Sequence, residues 1–264
     1  MNRTVVKKKN RVAVLMGGRS SEREVSLRSG AAVLKALERQ GYNVIGVDVG
    51  ADVIQRLQWE GVEAAFVALH GRWGEDGVIQ GLLETMTIPY TGSGVMASAA
   101  AMDKAVMKLI LEGRKIPTPA YDTLREPGEI SLPLPFVVKP AREGSTIGIS
   151  IVRRETEIKK ALKNAFRYDR KVVVEEFVEG KEITVAVING RTLPVIEVKP
   201  VSGFYDYEAK YTKGMTKYIL PAKITKSVEE KACRTALSVW DAFDLAGCVR
   251  VDMLVRRGVP MVFD

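Results

Sequence analysis

The first seventy residues alternate two hydrophobic periods. Residues 12–16, Val-Ala-Val-Leu-Met, are apolar throughout, as a parallel strand buried on both faces requires. Gly17-Gly18 ends that run. The chain then turns into a segment of helical periodicity that reaches about Gln40 and stops at Gly41, a residue suited to the left-handed C′ position. Ser21 with Glu24 fits a capping box at its start. A second strand follows over residues 43–49, a helix around residues 53–60 and a third strand over residues 64–69. This alternation leaves few solutions. It predicts an open α/β sheet whose ligands gather outside the carboxyl ends of the strands. Two loops leave on that edge, residues 17–24 and residues 70–77. The second holds His70, the only histidine. A lone histidine at a strand end reads first as a hydrogen-bonded structural residue.

The rest of the chain has a different rhythm. Gly92, Gly94 and Ala97 match G-x-G-x-x-A, but the strand before them is very short and no acidic residue follows at the expected offset. A tight strand-to-helix turn is the better reading. Residues 95–112 read as one alanine-rich helix, and residues 117–135 as a proline-rich link. Then comes Phe136-Val137-Val138-Lys139-Pro140, a β-branched run ending on a lysine, with Pro140 as its stop. The loop after it holds Gly144, Ser145, Thr146 and Gly148, and residues 149–152 return as a strand. Such a loop can aim backbone N–H groups at a polyphosphate; it can equally be a surface turn with a solvated lysine. It is not a Walker A loop, because G-x-x-x-x-G-K-[ST] occurs nowhere in the chain.

A helix around residues 155–168 and a strand over residues 171–177 precede the break Val178-Glu179-Gly180-Lys181. Asn189-Gly190 predicts a type I′ hairpin between strands 182–188 and 191–198. Residues 203–214 hold Phe204, Tyr205, Tyr207 and Tyr211 among charges, and read as a lid. A helix over residues 226–243 leads into a last hairpin, residues 247–255 and 259–264. A three-residue loop there would pair Val255 with Val259 and set Arg250 opposite Asp264, with Asp252 on the same face. An arginine and two carboxylates on one strand face suit a metal and an anion.

Composition narrows the class. At 264 residues, 46% hydrophobic and 27% charged, the chain suits about two soluble domains. No apolar run has the length of a membrane span. The net charge of +8 raises nucleic acid, but the basic residues are spread among acids and no aromatic–basic stacking motif appears. The reading is no nucleic acid, no membrane, a cytoplasmic location, and reduced thiols at Cys233 and Cys248.

Five segments, in order, resemble the D-alanine–D-alanine ligase family of the ATP-grasp superfamily. They begin at Gly17-Gly18-Arg19-Ser20-Ser21-Glu22, Ala68-Leu69-His70-Gly71-Arg72, Tyr90-Thr91-Gly92-Ser93-Gly94, Val138-Lys139-Pro140 with Arg142-Glu143-Gly144-Ser145, and Tyr205-Asp206-Tyr207-Glu208-Ala209-Lys210-Tyr211. The resemblance covers nearly the whole chain. It implies an α/β N-terminal domain (residues 1–98), an ATP-grasp small subdomain (99–181) and a C-terminal ATP-grasp subdomain (182–264). It implies ATP-dependent joining of two D-alanines through a D-alanyl phosphate for peptidoglycan, with magnesium or manganese, and a homodimer as the common assembly.

Residue by residue, the resemblance implies ATP held by Lys104, Lys139, Glu175, Phe177, Val178, Glu182 and Lys210. It implies metal ligation by Asp252 and Asp264, the latter where the family has glutamate. Glu22 would anchor the first substrate's ammonium and form a network with Ser145 and Tyr211; Arg250 would stabilise the oxyanion. His70 moves from structural residue to positioning of the second D-alanine. A D-alanine–D-lactate ligase is the alternative that Tyr211 opposes, and a nucleotide-binding inactive fragment is another. The sequence ends inside a strand, where the family continues with Asn-Thr-x-Pro-Gly and a serine for the second substrate. The expectation is a truncated chain that binds ATP and makes little dipeptide.

Overall fold

The structure, a computed structural model, describes residues 6–200 and 214–264. The chain divides into two compact units, Met1–Ala99 and Ala100–Asp264. Each has cores of its own.

In the first unit, β1 (Val12–Met16), β2 (Val44–Asp48) and β3 (Ala64–Val67) form a parallel sheet in the order β2-β1-β3. Tyr90 adds a parallel bridge beside Ala65. Successive side chains of β1 face opposite ways. Val14 and Met16 pack against α1 (Arg23–Arg39), through Leu27, Val33, Leu34 and Leu37. Ala13 and Leu15 pack with Leu57 of α2 (Val53–Trp59) and with Ile79 and Leu83 of α3 (Val78–Thr85). Both faces are covered, which is why β1 is apolar at every position. The chain leaves β1 for β2 on one side and returns on the other for β3. The carboxyl ends of β1 and β3 therefore flank a switch point.

Three local readings are corrected in this unit and at its junction with the next. Helix α1 starts one residue later than a cap at Ser21 would place it: Glu22 is the N-cap residue, and its side chain makes no capping bond. Ser20 supplies the local hydroxyl instead, accepting from the Glu22 N–H at 3.2 Å while donating to the His70 carbonyl at 2.7 Å. Helix α3 had no counterpart in the sequence reading. The predicted single helix over residues 95–112 is two, α4 (Val95–Met102) and α5 (Lys104–Gly113). Asp103 interrupts them: its backbone is extended and its carboxylate accepts from the Ala105 and Val106 N–H groups. Aspartate competes for backbone donors in this way, so it starts a helix more readily than it continues one.

The second unit carries two antiparallel sheets. One has the order β4-β7-β5-β6, built from β4 (Tyr121–Leu124), β5 (Phe136–Pro140), β6 (Ser150–Val152) and β7 (Val172–Glu176). Strand β4 lies inside the segment read as a link. On one face Phe136, Val138, Val172 and Val174 pack under α6 (Glu155–Ala165). By the period of two, Val137, Lys139, Val173 and Glu175 take the other face.

The other sheet runs β11-β10-β8-β12-β13, from β8 (Lys181–Ile188), β9 (Arg191–Thr192), β10 (Ile196–Pro200), β11 (Thr216–Ile219), β12 (Cys248–Arg256) and β13 (Val259–Val262), with β9 also on β8. Ile183, Val185, Val187, Val251 and Met253 pack with α7 (Lys226–Phe243). Glu182, Thr184, Arg250 and Asp252 alternate onto the opposite face.

Asn189 and Gly190 both have positive φ, 48° and 74°, as a type I′ turn requires. The returning strand is nevertheless in two pieces. Thr192 pairs with Val187, yet Ile196 pairs with Thr184. One extra residue is accommodated around Pro194, which has no N–H for the ladder.

The last hairpin is also corrected. Arg256 pairs with Val259 across the two-residue turn Arg257-Gly258, both at positive φ. The register shifts by one, and a bulge follows: Asp252 donates to the Asp264 carbonyl at 2.9 Å, and Phe263 donates to the Asp252 carbonyl at 3.1 Å. Asp252, not Arg250, stands opposite Asp264. Among the described residues, no helix is long and apolar enough to cross a membrane.

Candidate functional site

The first unit gathers polar groups at its switch point. Ser26, fully buried, accepts from the Gly17 N–H at 2.9 Å and donates to the Ala68 carbonyl at 2.7 Å. One hydroxyl thus braces the loop after β1 against the loop after β3. Glu22 is buried at the start of α1, where the helix dipole favours a carboxylate. Gly71 passes close to it: its φ is +66°, and a Cβ there would stand 2.8 Å from Glu22 Oε2. Any side chain would strain the backbone and push that carboxylate aside. His70 Nε2 lies 3.3 Å from Ser29 Oγ, and Nδ1 lies 3.6 Å from Glu75 Oε1. Glu75, whose other oxygen accepts from the Gly71 N–H at 2.7 Å, holds the His70 pKa above its ordinary value against burial, with help from Glu22. The group is a set of two carboxylates and one imidazole, suited to an amino acid's charged ends.

The second unit brings Lys104, Lys139, Glu175 and Asp264 together. Lys139 Nζ is 3.0 Å from Glu175 Oε2; the register sets Lys139 against Val173 and Val137 against Glu175, so the two are diagonal neighbours on one sheet face. Lys104, at the start of α5, reaches the Glu143 carbonyl at 3.0 Å and Asp264 Oδ1 at 3.3 Å. Lys139 Nζ also sits 5.3 Å from the Phe263 ring centre, a cation–π distance.

The loop between β5 and β6 is anchored at its start by Arg142. Its guanidinium and N–H make three bonds to Asp169, at 2.9, 2.6 and 3.0 Å. Burial works to raise the Asp169 carboxyl, and these donors outweigh it, leaving it below the usual carboxylate range. Ser145 and Thr146 follow, both at positive φ, 49° and 66°. Two successive non-glycine residues there, one β-branched, carry roughly 1–3 kcal/mol of strain each. That strain persists because both flanks are pinned.

The break after β7 offers backbone. Phe177 donates to the Pro135 carbonyl at 3.2 Å, and its ring lies under the Arg153 guanidinium at 5.0 Å. Val178 is buried, and its backbone N–H and C=O lie at this edge, outside any strand. Buried backbone groups of that kind call for a partner. Both ammonium contacts of Glu175 fall on Oε2. A nucleobase, which presents donors and acceptors on one edge, fits this rim.

Glu182 lies on the polar face of the second sheet, in register with Val198 and Leu254. Asp252 accepts from Thr184 Oγ1 at 2.7 Å and from Arg250 at 2.9 and 2.8 Å. Asp252 and Asp264 stand opposite each other along the backbone at the bulge, which brings two carboxylate residues to the end of the hairpin. Magnesium is commonly held by one or two carboxylates plus substrate phosphates, so the residues present fit that ion. Lys210 and Tyr211, with the proposed lid, lie outside the described residues.

One residue escaped the sequence reading. Lys108 is fully buried one turn after Lys104 and also reaches Glu175 Oε2, at 3.0 Å. Burial pushes its pKa down to about 8. In the structure Lys108 shares the buried face of α5 with Lys104, Ala105 and Leu111.

Two antiparallel sheets with a lysine-lined rim, in one chain with an α/β unit, are the architecture of an ATP-grasp ligase. The family model for the D-ala D-ala ligase C-terminus matches residues 110–263, and that for the N-terminus matches residues 11–61 and 52–93. The D-alanine–D-alanine ligase of Syntrophotalea carbinolica is 52% identical over 248 residues, 93% of this chain and 81% of that protein. The crystal structure of the Bacillus anthracis D-alanine–D-alanine ligase superposes with a TM-score of 0.86 at 33% identity, covering 97% of this chain and 86% of that one. Its complex with ATP gives 0.85 at 32% identity, over 97% and 85%. The chain belongs to the D-alanine–D-alanine ligase family.

Proposed function

We propose that this chain joins two molecules of D-alanine into D-alanyl-D-alanine, converting ATP to ADP and phosphate, in the cytoplasm and in the service of peptidoglycan synthesis. The observation that carries the reading is the cluster of Lys104, Lys139, Glu175 and Asp264 on facing elements of one unit in a member of this family. Lys104 and Lys139 meet the phosphates, and residues 144–148 close over them. Glu175 accepts from the adenine amino group, Val178 offers its backbone, and Phe177 packs at the same edge. Glu182 holds the ribose hydroxyls, and Lys210 adds a cation from the segment outside the described residues. Asp252 and Asp264 hold magnesium, which offsets charge on the transferring phosphoryl group.

A carboxylate is a poor acyl donor. The carboxylate oxygen of the first D-alanine attacks the γ-phosphorus, the bond to ADP breaks, and D-alanyl phosphate forms. The neutral amine of the second D-alanine then attacks the acyl carbon, loses a proton, and phosphate leaves with the bonding pair. Glu22 anchors the first ammonium, and Ser145 and Tyr211 orient the same substrate. His70 positions the second D-alanine. Arg250 stabilises the oxyanion. The reading extends to three parts, residues 1–98, 99–181 and 182–264, supported by the separate sheets of the latter two, and to a homodimer.

Calorimetric titration with ATP tests the nucleotide half. Lys139→Ala removes a charge-assisted contact of about 1.5–3 kcal/mol, so affinity falls by one to two orders of magnitude. An unchanged affinity removes Lys139 from the site. The acceptor is tested by offering D-alanine alone or with D-lactate. Turnover, whatever its rate, gives dipeptide; depsipeptide as the main product favours the D-lactate reading.

A further inference from the structure

Lys108 is, with Phe136, among the largest fully buried side chains of the described residues. Its ammonium has three donors and three acceptors in reach: Glu175 Oε2 at 3.0 Å, Thr118 Oγ1 at 2.6 Å and the Pro119 carbonyl at 3.4 Å. The Tyr121 ring lies 5.8 Å away. A packing role would be met more cheaply by methionine or leucine, because a buried charge is rarely the most stable filling of a core. What the ammonium provides instead is orientation.

Lys108 from α5 and Lys139 from β5 converge on one and the same carboxylate oxygen. Two cations on Oε2 restrain the rotation of the Glu175 carboxylate. The Thr118 hydroxyl that accepts from Lys108 donates to the Val262 carbonyl at 2.6 Å, two residues before Asp264. The same ammonium thus ties the base-side carboxylate to the strand that delivers the phosphate-side one.

We propose that Lys108 is a positioning residue for nucleobase selection: it locks Glu175 so that Oε1 faces an exocyclic amino donor, as adenine offers at its 6-position and guanine does not. The inference rests on the reading that Glu175 meets the base. Lys108 itself touches no substrate.

The test is calorimetric titration of the full chain with ATP and with GTP, for the parent, Lys108→Met and Glu175→Gln. The parent binds ATP in preference to GTP. Lys108→Met lowers the ratio of ATP to GTP affinity by about tenfold, the weight of one charge-assisted hydrogen bond. A structural role alone would lower the unfolding temperature and leave the ratio in place. If Glu175→Gln lowers the ratio and Lys108→Met leaves it unchanged, the inference is overturned and the reading of Glu175 stands. If neither variant moves the ratio, or the parent shows no preference, the reading of Glu175 fails and the inference with it. Should Lys108→Met not fold, Lys108→Gln, which removes the cation from Glu175 and keeps a neutral polar group for Thr118, carries the same test: a lowered ratio supports the lock, and an unchanged one overturns it.

Discussion

His70 shows how one residue's surroundings set a measurable property of the whole chain. Its pKa is raised above 6.5 by Glu75 first and Glu22 further off, against the opposing effect of burial. The folded state therefore holds this proton more tightly than the unfolded chain. The resulting stabilisation is complete below pH 6.5, the unfolded value, and is lost as pH rises through the folded value. His70→Gln should accordingly destabilise the protein more at about pH 5.5 than at about pH 8.5. Urea unfolding of both proteins at the two pH values measures this, and an equal difference at both would show that Glu75 does not hold the proton. His70, Glu22 and Lys139 were legible because each ends a recognisable strand or turn. Glu75 as the partner of His70, and Lys108 as the partner of Glu175, were not. A lysine on an apolar helix reads as solvated from sequence alone, since its counter-charge lies 67 residues away and only the fold brings them together.

At the scale of elements, periodicity was a good guide where one face was apolar and a poor one where polar side chains decide. The helix Lys226–Phe243 and the strand Val12–Met16 coincide with their patterns. The break at Asp103 does not show in the hydrophobic pattern, because its cause is a side-chain hydrogen bond. Asp103→Ala tests that cause. The carboxylate accepts from Ala105 and Val106, at 3.2 and 3.3 Å, and from Lys171 Nζ at 2.5 Å. Loss of the cap should cost about 1–2 kcal/mol, and Asp103→Asn, which can still cap, should recover most of it. Urea midpoints decide; equal losses for both variants would assign the effect to Lys171 instead. The strand pairings that were missed have similar origins. Pro194 forces a bulge, and Arg257 takes a positive φ of 49° that its residue type does not advertise, which shortens the last turn and moves Asp264 opposite Asp252.

At the scale of the molecule, two units with separate cores should answer a nucleotide separately. The residues assigned to ATP all fall in Ala100–Asp264, and Lys139, Glu175 and Glu182 among them lie on strands of its two sheets. The core between α1, the parallel sheet and α3 belongs to Met1–Ala99, and no residue of it is assigned to the nucleotide. A ligand present at one hundred times its dissociation constant stabilises what it binds by about 2.7 kcal/mol. Hydrogen exchange with and without ATP should thus slow in β5, β7, β8 and β12, whose ladders carry Lys139, Glu175, Glu182 and Asp252. Exchange in β1, β2 and β3 should stay as it is, because local opening there draws on contacts the nucleotide does not touch. D-alanine should reverse the pattern if Glu22 and His70 receive it, slowing exchange at the loops after β1 and β3. Protection that spreads evenly over both units on adding ATP alone would mean that they open as one block, and that the nucleotide's effect is not confined to the sheets that carry its lysines.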